Sequence, residues 1–135
     1  MANYICSARS NYFKVKDVEI FKNDVGMFPV SVHEKAGTFC ITCEDPDGGG
    51  WPSHWYDDET GEFQEVDFFA EVSKHLAVGE VAVFMEVGAE KLRYLVGQAV
   101  AINSRGEQRW VNLESIYDLA KELTDTPEAI SYATY

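Results

Sequence analysis

The chain has 135 residues, 46% of them hydrophobic and 13% aromatic, and 23 Asp and Glu against 11 Lys and Arg give it a formal net charge of −12. That length fits one compact domain spanning residues 1–135, and the apolar content excludes an intrinsically disordered chain in spite of the charge. The longest apolar stretches, Val81 to Met85 and Tyr94 to Ile102 with Gln98 inside the second, fall short of the ~20 residues that cross a bilayer, and an acidic surface is repelled by phosphate backbones and anionic lipids; no membrane and no direct nucleic-acid partner is expected.

Met1 to Ser10 lacks the basic-then-apolar order of a signal peptide, and the cysteines, Cys6, Cys40 and Cys43, are odd in number. Both features predict a cytoplasmic protein. Asn11 to Lys16 reads as a strand, after which Asp17 caps a short helix with Val18, Phe21 and Val25 on one face and Gly26 at its end. Phe28 to His33 and Thr38 to Cys43 read as a hairpin around Glu34-Lys35-Ala36-Gly37. Asp45-Pro46-Asp47-Gly48-Gly49-Gly50 is a loop, since Pro and a glycine triplet resist both regular structures. Trp51 to Tyr56 and Glu62 to Val66 suggest a second hairpin, with Asp57-Asp58-Glu59-Thr60-Gly61 at its tip.

Asp67 can cap a helix in which Phe68, Phe69, Val72 and Leu76 share a face while Glu71, Lys74 and His75 point outward, with Gly79 as the stop. Glu80 to Val87 and Leu92 to Asn103 are apolar on both alternations, the pattern of central strands covered on both faces or well flanked, with Gly88 to Lys91 turning between them. Asn103-Ser104-Arg105-Gly106 turns into Glu107 to Val111, and Asn112 then caps a helix whose apolar stripe is Ile116, Leu119, Ala120 and Leu123. The resulting order, β-α-β-β-β-β-α-β-β-β-α with short turns, predicts a single α+β domain. Its sheet is mostly antiparallel, and about three helices, near 17–25, 67–77 and 113–124, pack on one face.

The charge is not spread evenly. Residues 1–43 hold five Lys/Arg and four Asp/Glu, residues 44–90 hold one and thirteen, and residues 91–135 hold five and six. A near-neutral frame thus carries one acidic segment, whose like charges repel unless they are solvated or matched by a partner. Aromatics lie among the acids, and alternation sets Trp51, Ser53 and Trp55 on one face of a strand. Trp51 and Trp55 have two readings, exposed rings at a partner interface or anchors of the core from an edge strand.

Other constellations are weaker in chemistry. Cys40-Ile41-Thr42-Cys43 has metal-knuckle spacing, but on a strand positions three apart point to opposite faces, so the sulfurs diverge and the pair reads as structural cysteines. Asp45-Pro46-Asp47-Gly48 lacks the later ligands of a calcium loop. His33, His54 and His75 are isolated, with no nucleophile motif near them. Glu62 and Glu65 could pair as general acid and base, but acids beside a turn form a solvated face more often than a tuned dyad. No cofactor, metal or catalytic residue is therefore expected.

In size, single-domain build and charge the chain resembles small acidic proteins of phages and mobile elements, among them DNA-mimicking inhibitors of restriction enzymes and of CRISPR effectors. No residue motif singles out one inhibitor family, and many such mimics are acidic throughout, whereas here the acids are confined to one segment. The resemblance implies a non-enzymatic inhibitor that presents an acidic patch to the basic, nucleic-acid-handling surface of a defence complex. The candidate binding residues are Asp45, Asp47, Trp51, Trp55, Asp57, Asp58, Glu59, Glu62 and Glu65. The alternative is a small enzyme or ligand-binding domain with a cleft near Gly48 to Tyr56, and self-association as a homodimer is left open.

Overall fold

The computed structural model describes residues 4–43, 50–52, 54–57, 62–90 and 94–133, and within these the side chains of all but 4–6, 54–57, 62–65, 90 and 94. Its elements follow the order read from the sequence. They are β1 (Tyr4–Ser10), α1 (Val18–Val25), β2 (Ser31–Lys35), β3 (Thr38–Cys43), β4 (His54–Asp57), β5 (Glu62–Glu65), α2 (Phe68–His75), β6 (Val81–Glu90), β7 (Tyr94–Asn103), β8 (Gln108–Asn112) and α3 (Ile116–Lys121), with a 3-10 turn at Leu113–Ser115. Six strands form one sheet in the order β2-β3-β1-β6-β7-β8, and β4 and β5 pair separately as a two-stranded hairpin. Every pairing is antiparallel.

Local chemistry fixes most of the boundaries. Asp17 Oδ1 accepts from the Ile20 amide at 3.1 Å and Asp67 Oδ1 from the Ala70 amide at 3.2 Å, so each carboxylate satisfies an orphan donor at a helix start. The β2–β3 turn has two residues, Ala36 at φ 50° and Gly37 at φ 81°, and tight hairpins that match strand twist need positive φ at both. Between β7 and β8, Asn103 Oδ1 accepts from the Arg105 and Glu107 amides, both at 3.0 Å, while Gly106 sits at φ 84°. The side chain builds the turn that the sequence marks there.

Alternation then divides the sheet into two faces. Ala82, Phe84 and Glu86 of β6 lie opposite Ile102, Val100 and Gln98 of β7 and face the helices. Phe13, Phe21, Phe39, Ile41, Phe68, Val72 and Leu76 join Ala82, Phe84, Val100 and Ile102 in one cluster, all of them 2% exposed or less. Aromatic edges knit this layer: Phe13 meets Phe21 at 5.9 Å and Phe28 meets Phe68 at 5.0 Å, both edge-on. Of the intervening residues of β6, Val81, Met85 and Val87 are exposed and Val83 and Ala89 are half-buried.

Four expectations change. The N-terminal ladder strand is Tyr4–Ser10 rather than Asn11 to Lys16. Residues 11–16 do alternate, but they are joined to the rest only by single bridges, Phe13 to Phe39 and Val15 to Leu76. His75 is 8% exposed rather than outward, because it follows Phe68 by seven positions and so returns to the buried face, edge-on to Phe21 at 5.8 Å. Strand β6 runs on to Glu90, through Gly88 and Ala89 where the turn was expected, while β6 and β7 are well flanked, by β1 and β8, as one of the two readings has it. Finally, α1 and α2 alone supply buried helical residues: α3 buries none, and Ile116, Leu119 and Leu123 of its stripe are exposed.

Candidate interaction surface

The acidic segment leaves and rejoins the fold through one aromatic cluster. Trp51 stacks on Phe68 with ring centroids 5.8 Å apart and planes 14° from parallel, and meets Phe84 edge-on at 4.9 Å. Trp51 therefore precedes β4, His54–Asp57, and packs against the core while only partly buried. Its indole nitrogen is buried without a hydrogen-bond partner, a cost that the stacked and edge-on rings offset.

Glu86 holds the same junction from the sheet side. It points inward from β6 and is 5% exposed. Its Oε1 accepts from the Trp51 amide at 3.0 Å and its Oε2 from Gln98 Nε2 at 3.4 Å. A carboxylate accepting from a backbone amide in a low-dielectric setting is a strong anchor. Gly50 makes the approach feasible: at φ 87° it has no Cβ, and one built there would stand 1.8 Å from Glu86 Oε1. Sequence reasoning counted Glu86 only as one acid of the 44–90 segment and Gly50 within a glycine run. The available signal was position, since Glu86 follows Ala82 and Phe84 on the inward alternation of one strand.

Beyond this junction stands the β4–β5 hairpin. Its register sets His54 opposite Glu65, Trp55 opposite Gln64, Tyr56 opposite Phe63 and Asp57 opposite Glu62. Two acids face each other directly in the last pair, an arrangement that destabilises an isolated hairpin. The backbones of Trp55, Asp57, Glu62 and Glu65 are thus placed together, and their side chains lie outside the described set. Asp45, Asp47, Asp58 and Glu59 lie outside the described residues altogether, as do Gly48, Gly49 and Ser53 of the alternative cleft. The two described hollows, about 450 Å³ beside Tyr117 and Tyr132 and about 300 Å³ beside Arg105 and Arg109, do not include Gly50 or Trp51.

The remaining candidates have structural partners. Cys40 Sγ donates to the Ser10 carbonyl at 3.3 Å and Cys43 Sγ to that of Gly50 at 3.4 Å, so the two sulfurs diverge to separate partners, as strand alternation requires. Among the described residues no cluster of three or more His, Cys, Asp or Glu is arranged to hold a metal ion. His33 Nε2 lies 2.9 Å from Thr42 Oγ1 on an exposed strand pair. His75 Nε2 lies 3.1 Å from Asp24 Oδ2, linking α2 to α1, although off the line of a well-formed hydrogen bond. Two titrating groups are displaced, both exposed. Glu107 is held below the usual carboxylate range by the hydrogen bond from Asn103 and by Arg105, and Lys74 is raised by its hydrogen bond and ion pair with Glu71 at 2.8 Å.

These features define an α+β protein with a six-stranded antiparallel sheet and, in its acidic segment, a separate two-stranded hairpin. No family model, curated protein or solved structure matches the chain. Among the described residues no helix is long and apolar enough to cross a membrane.

Proposed function

We propose that the protein is a non-enzymatic inhibitor that uses its acidic segment to occupy a basic, nucleic-acid-handling surface of a defence complex, of the CRISPR or restriction type. The observation that carries this reading is the charge of residues 44–90, thirteen acids against one base, in a chain that is otherwise near neutral. The hairpin within that segment pairs only with itself, and its register opposes Asp57 to Glu62. Like charges held opposite each other are relieved by a cationic surface, and any protein that grips a duplex carries such a surface, because DNA presents about one charge per 1.7 Å of axis. The anchoring of Trp51 by Glu86 and Phe68 fixes the chain shortly before the hairpin begins at His54.

The test is competition. Nucleic-acid-free CRISPR effectors and restriction complexes should bind the protein at low salt, release it as salt rises, and lose it to duplex DNA. Changing Asp57, Asp58, Glu59, Glu62 and Glu65 together to Lys should weaken binding by orders of magnitude, since close ion pairs at interfaces couple by about 1.5 kcal/mol or more each. A verified partner that holds the folded variant as tightly as the wild type, with affinity indifferent to salt, overturns the proposal.

A further inference from the structure

The sheet face turned away from α1 and α2 is apolar and largely bare. Its register aligns Met85, Ala99 and Val111 in one row, Val87 with Gly97 in the next, and Ala89 with Leu95 in a third. Met85, Val87, Leu95 and Val111 are each more than half exposed, Val87 at 64%. Leu113 covers Gly97, where a Cβ would meet its Cγ at 2.7 Å, and is itself 54% exposed. Five such side chains put on the order of 500 Å² of apolar surface in water, at the upper end of what an ordinary monomer shows.

The charge of this face is equally distinct. In a chain of net charge −12, the described charged groups of this face are Arg9, Lys35 and Arg109, with Glu107, ion-paired to Arg105, at its margin. The acidic segment attaches on the opposite side, through Trp51 and Phe68. Here, then, two copies can meet with the least mutual repulsion.

The chain also carries an element that lacks a surface of this kind. Helix α3 is six residues long and buries none of them, with Ile116 at 57% and Leu119 at 56% exposed. Short helices depend on packing an apolar face, because so few turns are marginal on their own. The stretch that follows β8 carries Glu114, Asp118 and Glu122 against Lys121. An apolar stripe on a net-negative stretch complements an apolar face whose charges are mainly Arg9, Lys35 and Arg109. We infer that the bare face is the docking surface for a second copy of the chain, occupied by α3 of that copy. A two-fold axis uses the contact twice, each α3 covering the other sheet, which is the isologous geometry of most homodimers.

Light scattering or sedimentation equilibrium tests this directly. The wild type should be dimeric in the micromolar range. Val87→Lys, on the face, and Leu119→Lys, on the helix, should each weaken dimerisation by about tenfold or more while leaving the circular dichroism unchanged, since both positions are exposed. Met85→Lys repeats the face arm, and the helix arm touches no core residue. Mixing Val87→Lys with Leu119→Lys should recover dimers, because one of the two helix-to-face contacts is then intact. A wild type that stays monomeric into the high-micromolar range overturns the inference. So does a dimer that withstands both changes, one lost in Val87→Lys but kept in Leu119→Lys, which would mean that faces meet faces without α3, or one lost in both and not recovered on mixing, which would mean that the helix and the face do not meet each other.

Discussion

The two faces of the sheet are made by alternate residues of the same strands, yet they have opposite fates. On β6, Phe84 is sealed under Phe68, Phe69 and Trp51, while its neighbour Met85 stands in water. Both faces are apolar, and what distinguishes them is what the chain lays over them. Helices α1 and α2 bury residues on the inner face, whereas α3 buries none. Charge follows much of the same divide, since Asp17, Glu19, Asp24, Asp67 and Glu71 lie on or at the ends of α1 and α2, whereas the described charged groups of the bare face are Arg9, Lys35 and Arg109, with Glu107 at its margin.

The sharpest way to break the comparison is to truncate adjacent residues of one strand. Phe84→Ala should lower unfolding free energy by about 3–5 kcal/mol, the cost of a cavity where a large ring was fully buried, whereas Met85→Ala should change it by less than about 0.5 kcal/mol at a protein concentration where the chain is monomeric. Urea titrations of both variants decide it; equal losses would mean that the outer face is covered within the monomer. Next in size is Gly50→Ala, which forces φ 87° on an L-residue and drives a methyl group into Glu86. A loss of about 1–3 kcal/mol is expected, with a shift in Trp51 fluorescence as the indole leaves Phe68 and Phe84. Unchanged stability would show that the Glu86 junction does not hold the segment.

Helix caps give a smaller and more local contrast. Asp67→Ala should cost about 1 kcal/mol of global stability, because α2 is part of the core. Asn112 forms a reciprocal cap with Ser115, its Oδ1 accepting from the Ser115 amide at 3.1 Å. Asn112→Ala should instead speed hydrogen exchange around 113–121 and leave the global transition nearly unmoved. The smallest effect is one of pH. Glu107 has its folded pKa lowered by Asn103 and Arg105, so its contribution is fully present above the unfolded carboxylate pKa and disappears as pH falls through the depressed folded value. Chemical shifts of the 103–107 amides should follow that titration, and Glu107→Gln should abolish it; a titration unaltered in the variant would assign it to another group.

Much of the architecture was legible because it is written in local chemistry. Asp17, Asp67 and Asn112 were read as caps and each accepts the hydrogen bond expected of it. The Ala36-Gly37 and Asn103 to Gly106 turns fall where Gly and Asn mark them. What was illegible depends on distant partners. Tyr4–Ser10 has Ser7, Arg9 and Ser10 in it and reads as a weak strand, but Ser10 is 2% exposed, its Oγ accepting from the Ile41 amide at 2.8 Å and donating to the Asn11 carbonyl at 2.7 Å. Buried Glu86 escaped for the same reason, its partner Trp51 lying 35 residues away. The stripe of α3 is a true helical period, and periodicity reports that a face is apolar without saying which molecule covers it. Of the candidate site, Trp51 packs against the core, the acidic count stands as sequence, and the hairpin register is what the structure added.

The sheet order also governs how the protein is made. Strand β1 sits between β3 and β6, and its full ladder with β6 joins Tyr4 to Glu90 and Ser10 to Phe84. A strand synthesised early thus waits for more than seventy residues before its main partner leaves the ribosome. At ~5–20 residues per second that delay lasts several seconds, during which β1 and the β2–β3 hairpin expose unpaired edges. Folding should be slow for a chain of this size, because closing so long a loop precedes the contacts that reward it. Chaperone dependence during expression, relieved when β6 and β7 are permuted ahead of β1, is the corresponding signature.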